Sequence, residues 1–372
     1  MKSVVRLLFV AAACFAVGSA YLPYKHWTGK MVILKDGNVS LFQETRVGKR
    51  VVVAQLYYIS NLVLDDVNFR LKISDGRGTT GWLDKADAVV LDDAAAYFTK
   101  RIKQNKNDAF AYFGRAAAWE LLGKPDLAIQ DYDTLEDLDP RPFMFDGRGN
   151  MWMAKKDYKK AMKDFNKAIY LDPKFAPAYH NRAWVWVVLD EKARALADYR
   201  EAIVLDPRLV SALYMRGMLY CRLGEFDNAL VDFNEAIRID TNALHAFYGK
   251  ARAQYGLKRY DDAVTTWQAA LEMNNDYSWG LMGWAHFLAT CPDENRRDSK
   301  KALAMATRAM SLERNPDATF HAMAAAVFAD SGDFVEAVRR QELALQDPQF
   351  IDVAEETNRL ELYRERKPFR QE

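Results

Sequence analysis

The sequence predicts a mainly α-helical chain, in which about seven stacked helix pairs form an α-solenoid behind a small β-barrel. The solenoid is predicted from repetition: from Asn107 onward the chain repeats itself every 33 or 34 residues. The barrel is predicted from residues 30 to 91, where short β-prone runs alternate with turn signals. The first four repeats end at Pro140, Pro173, Pro207 and Thr241.

The first 20 residues have the composition of a secretory signal peptide. Lys2 and Arg6 precede an apolar run that ends in small residues. The apolar run is shorter than the roughly 20 residues needed to cross a bilayer, which disfavours a permanent membrane span. We expect an exported protein, periplasmic or secreted. Because Cys14 follows three alanines in a segment that resembles a lipoprotein box, a lipoprotein attached to the membrane through Cys14 is the alternative.

Composition excludes several classes of protein. The chain has 52 Lys and Arg against 51 Asp and Glu, whereas a general nucleic-acid binder is far more basic. Half of the 372 residues are hydrophobic, which is enough for a large core and argues against disorder. After residue 20 the only cysteines are Cys221 and Cys291, too few for a disulfide scaffold and without metal-ligand spacing.

The amino-terminal module is predicted from alternation. Residues 69 to 74, FRLKIS, alternate apolar and polar side chains with the period of a half-buried strand. Together with the neighbouring runs they indicate about five strands in a small barrel. The strand order and the closing Gly81-Trp82-Leu83 resemble a bacterial SH3-like barrel. Exposed aromatics of such a barrel would bind a peptide or wall glycan; alternatively, Trp82 and Tyr57 are core residues or the barrel docks on the helix that follows.

The sequence pattern of each repeat predicts two helices. The second carries an alanine twelve residues before the repeat ends and an aromatic residue four positions later, on the same helix face. The first carries a small central residue that allows close helix contact. Neither helix can bury its apolar stripe alone, so stacking completes the core. The small residues are Ala116, Gly149, Ala183 and Gly217 in first helices and Ala128, Ala161, Ala195 and Ala229 in second helices.

This pattern resembles the tetratricopeptide repeat, and the resemblance implies a right-handed solenoid. Ala94, Phe98 and Ile102 lie at helix spacing just before the first repeat, in the register of a capping half-repeat that covers the end of the stack. The predicted boundaries are 1–20 for the signal peptide, 21–91 for the barrel, 92–106 for the capping half-repeat helix, 107–348 for the solenoid and 349–372 for a closing helix and tail.

A narrower resemblance covers nearly the whole chain after residue 20. WAHFLATCPDENRRDSKKALAMATRAM at 284–310 and VVLDDAAAYFTKRI at 89–102 are similar to segments of an exported tetratricopeptide family of planctomycete-type bacteria, many of whose members carry an SH3-like barrel. Ser299 stands where that family has glycine. The resemblance implies the architecture and export, but no defined activity.

The segment ATCPDENRRD, residues 289 to 298, predicts an enlarged turn between two helices. Pro292 cannot continue a helix, and Asp298 is a suitable cap for the next one. A catalytic Cys291 would need a nearby base and a lowered pKa, but His286 would project in a different direction. A partner-contacting turn is the other alternative. The sequence shows no phosphate-binding glycine loop, zinc helix motif or nucleophile elbow, so we predict no enzyme, cofactor or metal.

In the tetratricopeptide superfamily the first helices line a concave groove. The resemblance therefore implies a non-catalytic scaffold of the cell envelope that binds a protein or peptide partner there; the alternative is a peptidoglycan-binding module, with the barrel on the cell wall and the repeats as spacer. Aromatic residues and arginine are favoured anchors of protein interfaces. The lysine with which some superfamily members hold a terminal carboxylate is replaced here by Phe113 and Asp146. The predicted groove residues are Phe113, Asn150, His180, Trp184, Tyr214, Arg222, Tyr248, Arg252, Tyr255 and Trp279.

Overall fold

The computed structural model describes residues 31–35, 40–44, 50–55, 60–67, 70–74, 80–347 and 353–370. The predicted signal peptide and Cys14 lie outside these residues. Within them, no helix combines the length and the apolar character that a membrane span requires. The chain divides into two compact units, a first unit of residues 1–185 and a second unit of residues 186–372.

The amino-terminal strands form an antiparallel sheet in the order β3-β2-β6-β5-β4-β1-β7. Seven strands are described where about five were predicted, because the polar residues in SLFQE and SNLVLDDV weaken the strand pattern of β2 and β4. Among the described strand pairings, β3 and β7 are the two edge strands of the sheet. Closure of the sheet into an SH3-like barrel therefore stays a prediction. The strands are β1 Met31–Leu34, β2 Ser40–Glu44, β3 Arg50–Gln55, β4 Ser60–Val67, β5 Arg70–Ser74, β6 Thr80–Asp84 and β7 Ala88–Val90.

The first helix, α1 (Leu91–Gln104), shares one core with the sheet. Its buried face consists of Ala94, Phe98 and Ile102, the three residues that the helix spacing singled out. They pack with buried strand residues that include Leu71 and Ile73, the two predicted inward positions of β5. The apolar face of α1 is therefore covered on its sheet side.

Fourteen described helices follow as seven consecutive pairs, and a further helix comes after them. This confirms the predicted mainly helical chain of tetratricopeptide-type helix pairs. The pairs are α2 Ala109–Leu121 with α3 Pro125–Leu138, α4 Pro142–Ala154 with α5 Tyr158–Leu171, α6 Ala176–Val188 with α7 Lys192–Leu205, α8 Val210–Arg222 with α9 Phe226–Ile239, α10 Leu244–Gly256 with α11 Tyr260–Met273, α12 Ser278–Thr290 with α13 Ser299–Leu312, and α14 Ala318–Asp330 with α15 Phe334–Leu345; the last helix is α16 Val353–Arg364.

The small residues at the repeat centres are required by close contact with aromatic rings. A β-carbon on Gly149 would lie 2.5 Å from the Phe165 ring, and one on Gly217 would lie 2.7 Å from the Phe233 ring. Real β-carbons do not approach other atoms so closely. The predicted close contact of the two helices at the small central residue is therefore confirmed at these positions.

Arginine–aspartate pairs with buried carboxylates join the two helices of three repeats, a feature that was not predicted from the sequence. In each pair the two residues are 16 positions apart, and the guanidinium holds both carboxylate oxygens. Such bidentate contacts fix the relative position of two helices as well as adding energy. In the α10–α11 pair Thr266 donates instead to Gln254, at 2.8 Å. The pairs are Arg115–Asp131, Arg148–Asp164 and Arg216–Asp232.

Most first helices end in the same way, with a residue in the left-handed conformation that lets two backbone N–H groups reach back to the last turn. Helix α12 differs, because Cys291 is extended and Pro292 follows it. The chain then makes a short 3₁₀ turn, and Asp298 accepts from the Lys301 N–H at the start of α13. The predicted enlarged turn is confirmed. The left-handed residues are Gly123, Lys156, Asp190, Gly224, Lys258 and Gly332.

Candidate partner-binding surfaces

In the first unit, three predicted groove residues remain partly accessible and one does not. Phe113, Asn150 and Trp184 are half-buried on α2, α4 and α6. The Phe113 ring packs on Phe143, with ring centroids 4.7 Å apart. His180 is only 6% exposed, and burial lowers its pKa to about 4. The interpretation of His180 as a groove residue is therefore corrected, because a buried neutral imidazole offers no charge to a partner.

Two carboxyl groups of the first unit lie on first helices: Glu120, which was not predicted from the sequence, and Asp146, which stands at a predicted groove position. The Tyr132 hydroxyl donates to Glu120 at 2.6 Å, and the Asn181 amide donates to Asp146 at 2.9 Å. Burial raises the pKa of Glu120 to about 8, with a further contribution from the nearby charge of Asp146. Burial likewise raises the pKa of Asp146 to about 7. At neutral pH both carboxyl groups therefore carry protons for much of the time.

In the second unit, two predicted groove residues are part of the core. Tyr248 is 4% exposed; its hydroxyl lies 3.7 Å from the Met323 sulfur and its ring packs edge-on against Trp279. Tyr255 is also buried, with its ring centroid 5.2 Å from that of Phe287. Both were predicted as groove residues. They are corrected to packing residues, because rings from neighbouring first helices cover them.

The remaining predicted residues of the second unit are half-buried: Tyr214 and Arg222 on α8, Arg252 on α10 and Trp279 on α12. Within the described part of the chain, Arg252 makes no hydrogen bond or ion pair. Burial lowers the pKa of His286 to about 3, and the charges of Arg359 and Arg252 lower it further. His286 is therefore neutral, and the arginines supply the positive charge around it.

The two described cysteines are buried and free. Burial raises the pKa of Cys291, and it raises that of Cys221 to about 11. A nucleophilic thiol requires the opposite shift. Across residues 80–347 and the other described segments, no group of His, Cys, Asp and Glu side chains has a metal-binding arrangement.

The repeats match known sequences. Family models described as tetratricopeptide repeat match residues 91–141, 148–175 and 210–242. Over 83 residues the chain is 31% identical to Hsp70-Hsp90 organizing protein 3 of Arabidopsis thaliana, and over 82 residues it is 32% identical to organizing protein 2 of the same plant. Each match covers 22% of this chain, and the chain spans only 15% and 14% of the length of these two relatives.

Solved structures match a larger part of the chain. A tetratricopeptide repeat protein from Parabacteroides merdae has a TM-score of 0.55 at 16% identity, covering 69% of this chain and 98% of that one. The Cut9-Hcn1 hetero-tetramer of the APC/C has a TM-score of 0.54 at 18% identity, covering 73% of this chain and 52% of that one. At these identities the likeness shows the fold alone. The chain therefore contains tetratricopeptide repeats, a fold whose members are generally non-catalytic scaffolds for protein or peptide partners.

Proposed function

We propose that the protein is a non-catalytic scaffold that binds a partner polypeptide on the first helices of its repeats. One observation carries the proposal: Arg252 is a half-buried guanidinium that no described residue pairs with, on a helix whose neighbours present the half-buried aromatic residues Tyr214 and Trp279. Arginine beside aromatic rings is the composition of an interface anchor. The Arabidopsis relatives are Hsp70-Hsp90 organizing proteins, which supports the same class of function.

The charge of Arg252 indicates the chemistry of the partner. A guanidinium without an acceptor is best satisfied by a carboxylate, which it binds with two parallel hydrogen bonds. We therefore propose that the partner presents an acidic side chain to the second unit.

A partner-capture experiment tests this function. Residues 21–372 would be immobilised, and proteins of a cell-envelope extract would be captured on the wild type and on an Arg252→Gln variant. The variant keeps a polar side chain but is shorter and removes the charge. We expect the wild type to capture a protein that Arg252→Gln does not capture. The control variant Arg200→Gln, changed at an exposed residue of α7, should still capture that protein. Capture of the same proteins by all three chains would contradict the assignment of Arg252.

We further propose export through residues 1–20, with an SH3-like barrel in residues 21–91. The basic residues and apolar run of the first 20 residues support export. Sequencing the amino terminus of the protein from fractionated cells tests it: cleavage near residue 20 in an envelope fraction is expected, whereas an intact amino terminus in the cytoplasmic fraction would contradict it. Binding of peptidoglycan through residues 21–91 remains an alternative, to be tested by sedimentation of that segment with purified walls.

A further inference from the structure

The chain turns sharply after α16 and returns along the second unit. The Arg366 N–H reaches the Tyr363 carbonyl and the Lys367 N–H reaches the Leu362 carbonyl, the two hydrogen bonds of a Schellman turn. Arg366 has a φ of 58°, and Pro368 prevents the helix from resuming. A defined turn therefore sets the direction of residues 365–370, which form the return segment.

The return segment places an aromatic residue and an arginine on α12 and α14. Phe369 packs in the cluster that contains Ala325 and Phe328 of α14, and the Arg359 guanidinium lies 4.0 Å from the centre of its ring. Arg370 donates to the Ala289 carbonyl at 3.1 Å and pairs with Asp330 at 2.8 Å. One guanidinium thus joins the last turns of two first helices.

The Ala289 carbonyl is available to an external donor because of the sequence that follows α12. In a Schellman turn, this carbonyl would accept from the backbone N–H two residues after the helix ends. That residue here is Pro292, which has no N–H. The neighbouring Leu288 carbonyl is satisfied by Asp298, from the far side of the enlarged turn. Arg370 therefore supplies a donor that the backbone cannot.

Asp330 needs a cation for a related reason. It is the last residue of α14, where the helix dipole disfavours negative charge. Its side chain is only 3% exposed, and among the described residues Arg370 is its only ion-pair partner. Its second carboxylate oxygen, Oδ2, has no hydrogen-bond donor in the described part of the chain. A buried carboxylate in this position is stabilised only while a cation occupies the site.

We propose that the ends of α12 and α14 form a binding site for a short segment in which an aromatic residue precedes an arginine, and that the return segment occupies this site within its own chain. The ring packs in the apolar cluster to which α14, α15 and α16 contribute, and the guanidinium bridges Ala289 and Asp330. A segment of another polypeptide with the same two residues competes for the site. This inference is independent of the proposed function, because the ligand is a part of the chain that the structure describes.

A peptide-binding experiment tests the proposal. The probe is a fluorescein-labelled peptide ERKPFRQE, residues 365–372, and its binding is measured by fluorescence anisotropy. The site is emptied in the full chain by Phe369→Ala with Arg370→Ala. Because a tethered segment competes at an effective concentration of about 1 mM, we expect the emptied chain to bind the peptide at least about 10-fold more tightly than the wild type does.

Two matched changes assign the binding to the proposed contacts. Asp330→Asn in the emptied chain should abolish saturable binding, and so should alanine at both Phe369 and Arg370 of the peptide. Helix content is compared by circular dichroism. If the doubly substituted chain does not fold, Arg370→Ala alone, which keeps the ring in place, replaces it. Equal affinity of the wild-type and emptied chains, or no saturable binding to the folded emptied chain, would overturn the proposal.

Discussion

Glu120 makes the stability of the first unit depend on pH, and replacing it with glutamine should remove that dependence. The folded-state pKa of about 8 compares with an ordinary value of 4.5. Because the folded value is raised, the stabilising contribution is complete below about pH 4.5 and is lost as the pH rises through 8. At 1.36 kcal/mol per pKa unit the full shift would correspond to about 5 kcal/mol. Glu120 as a residue is half-buried, so we expect about 2 kcal/mol.

Glutamine at position 120 still accepts the hydrogen bond from Tyr132 but cannot ionise. We expect Glu120→Gln and the wild type to have similar urea midpoints at pH 4, and the variant to be more stable by about 2 kcal/mol at pH 9. Removing the Glu120 charge also eases the ionisation of the nearby Asp146, so both effects contribute to this difference. Unfolding is followed by circular dichroism between pH 4 and 9, with Glu201→Gln, an exposed change on α7, as the control. Parallel pH profiles for the wild type and Glu120→Gln would refute the reasoning.

Three further predictions concern packing and buried groups. Asp232→Ala removes the buried carboxylate that pairs with the half-buried Arg216 and should lower the free energy of unfolding by about 2 kcal/mol; Glu235→Ala, which breaks an exposed pair, should change it by less than about 0.5 kcal/mol, and equal effects in urea unfolding would contradict the role of the Arg216–Asp232 pair. In Gly249→Ala the new methyl group overlaps the Phe233 ring, so the midpoint of thermal unfolding should fall; an unchanged midpoint by circular dichroism would show that the ring can move. The reactivity of Cys291 can be measured in a chain whose other two cysteines are changed to serine. Cys291 should react with a chromogenic disulfide at least about 100-fold more slowly in the native chain than in urea, because it is buried and its pKa is raised. Similar rates would contradict its burial.

The repeat architecture could be predicted because it depends on residues that lie a fixed, short distance apart in the sequence. A small residue such as Gly149 and an aromatic one such as Phe165 must meet between adjacent helices, and their positions therefore recur with the repeat. Strands β2 and β4 were missed because their polar residues hide the alternation of a half-buried strand. The end of α12 was predictable from Pro292 alone.

The candidate surfaces were harder to predict, because exposure depends on contacts across repeats. Tyr248 occupies a groove position by count, yet Trp279 and Met323 from later repeats cover it. The raised pKa of Glu120 depends in part on Asp146, which belongs to the next helix pair. By contrast, the 16-residue spacing of arginine and aspartate was present in the sequence and could have revealed the buried ion pairs.

That constant spacing has a consequence for how the chain folds. An ion pair between residues 16 apart closes a short loop, and closing a short loop costs little chain entropy. Proteins dominated by such local contacts fold quickly, and in repeat arrays folding can begin at any repeat and propagate to its neighbours. We expect the repeats built on Arg115, Arg148 and Arg216 to act as nuclei, and the α10–α11 pair, which has a neutral hydrogen bond in that position, to fold onto a repeat that has already formed.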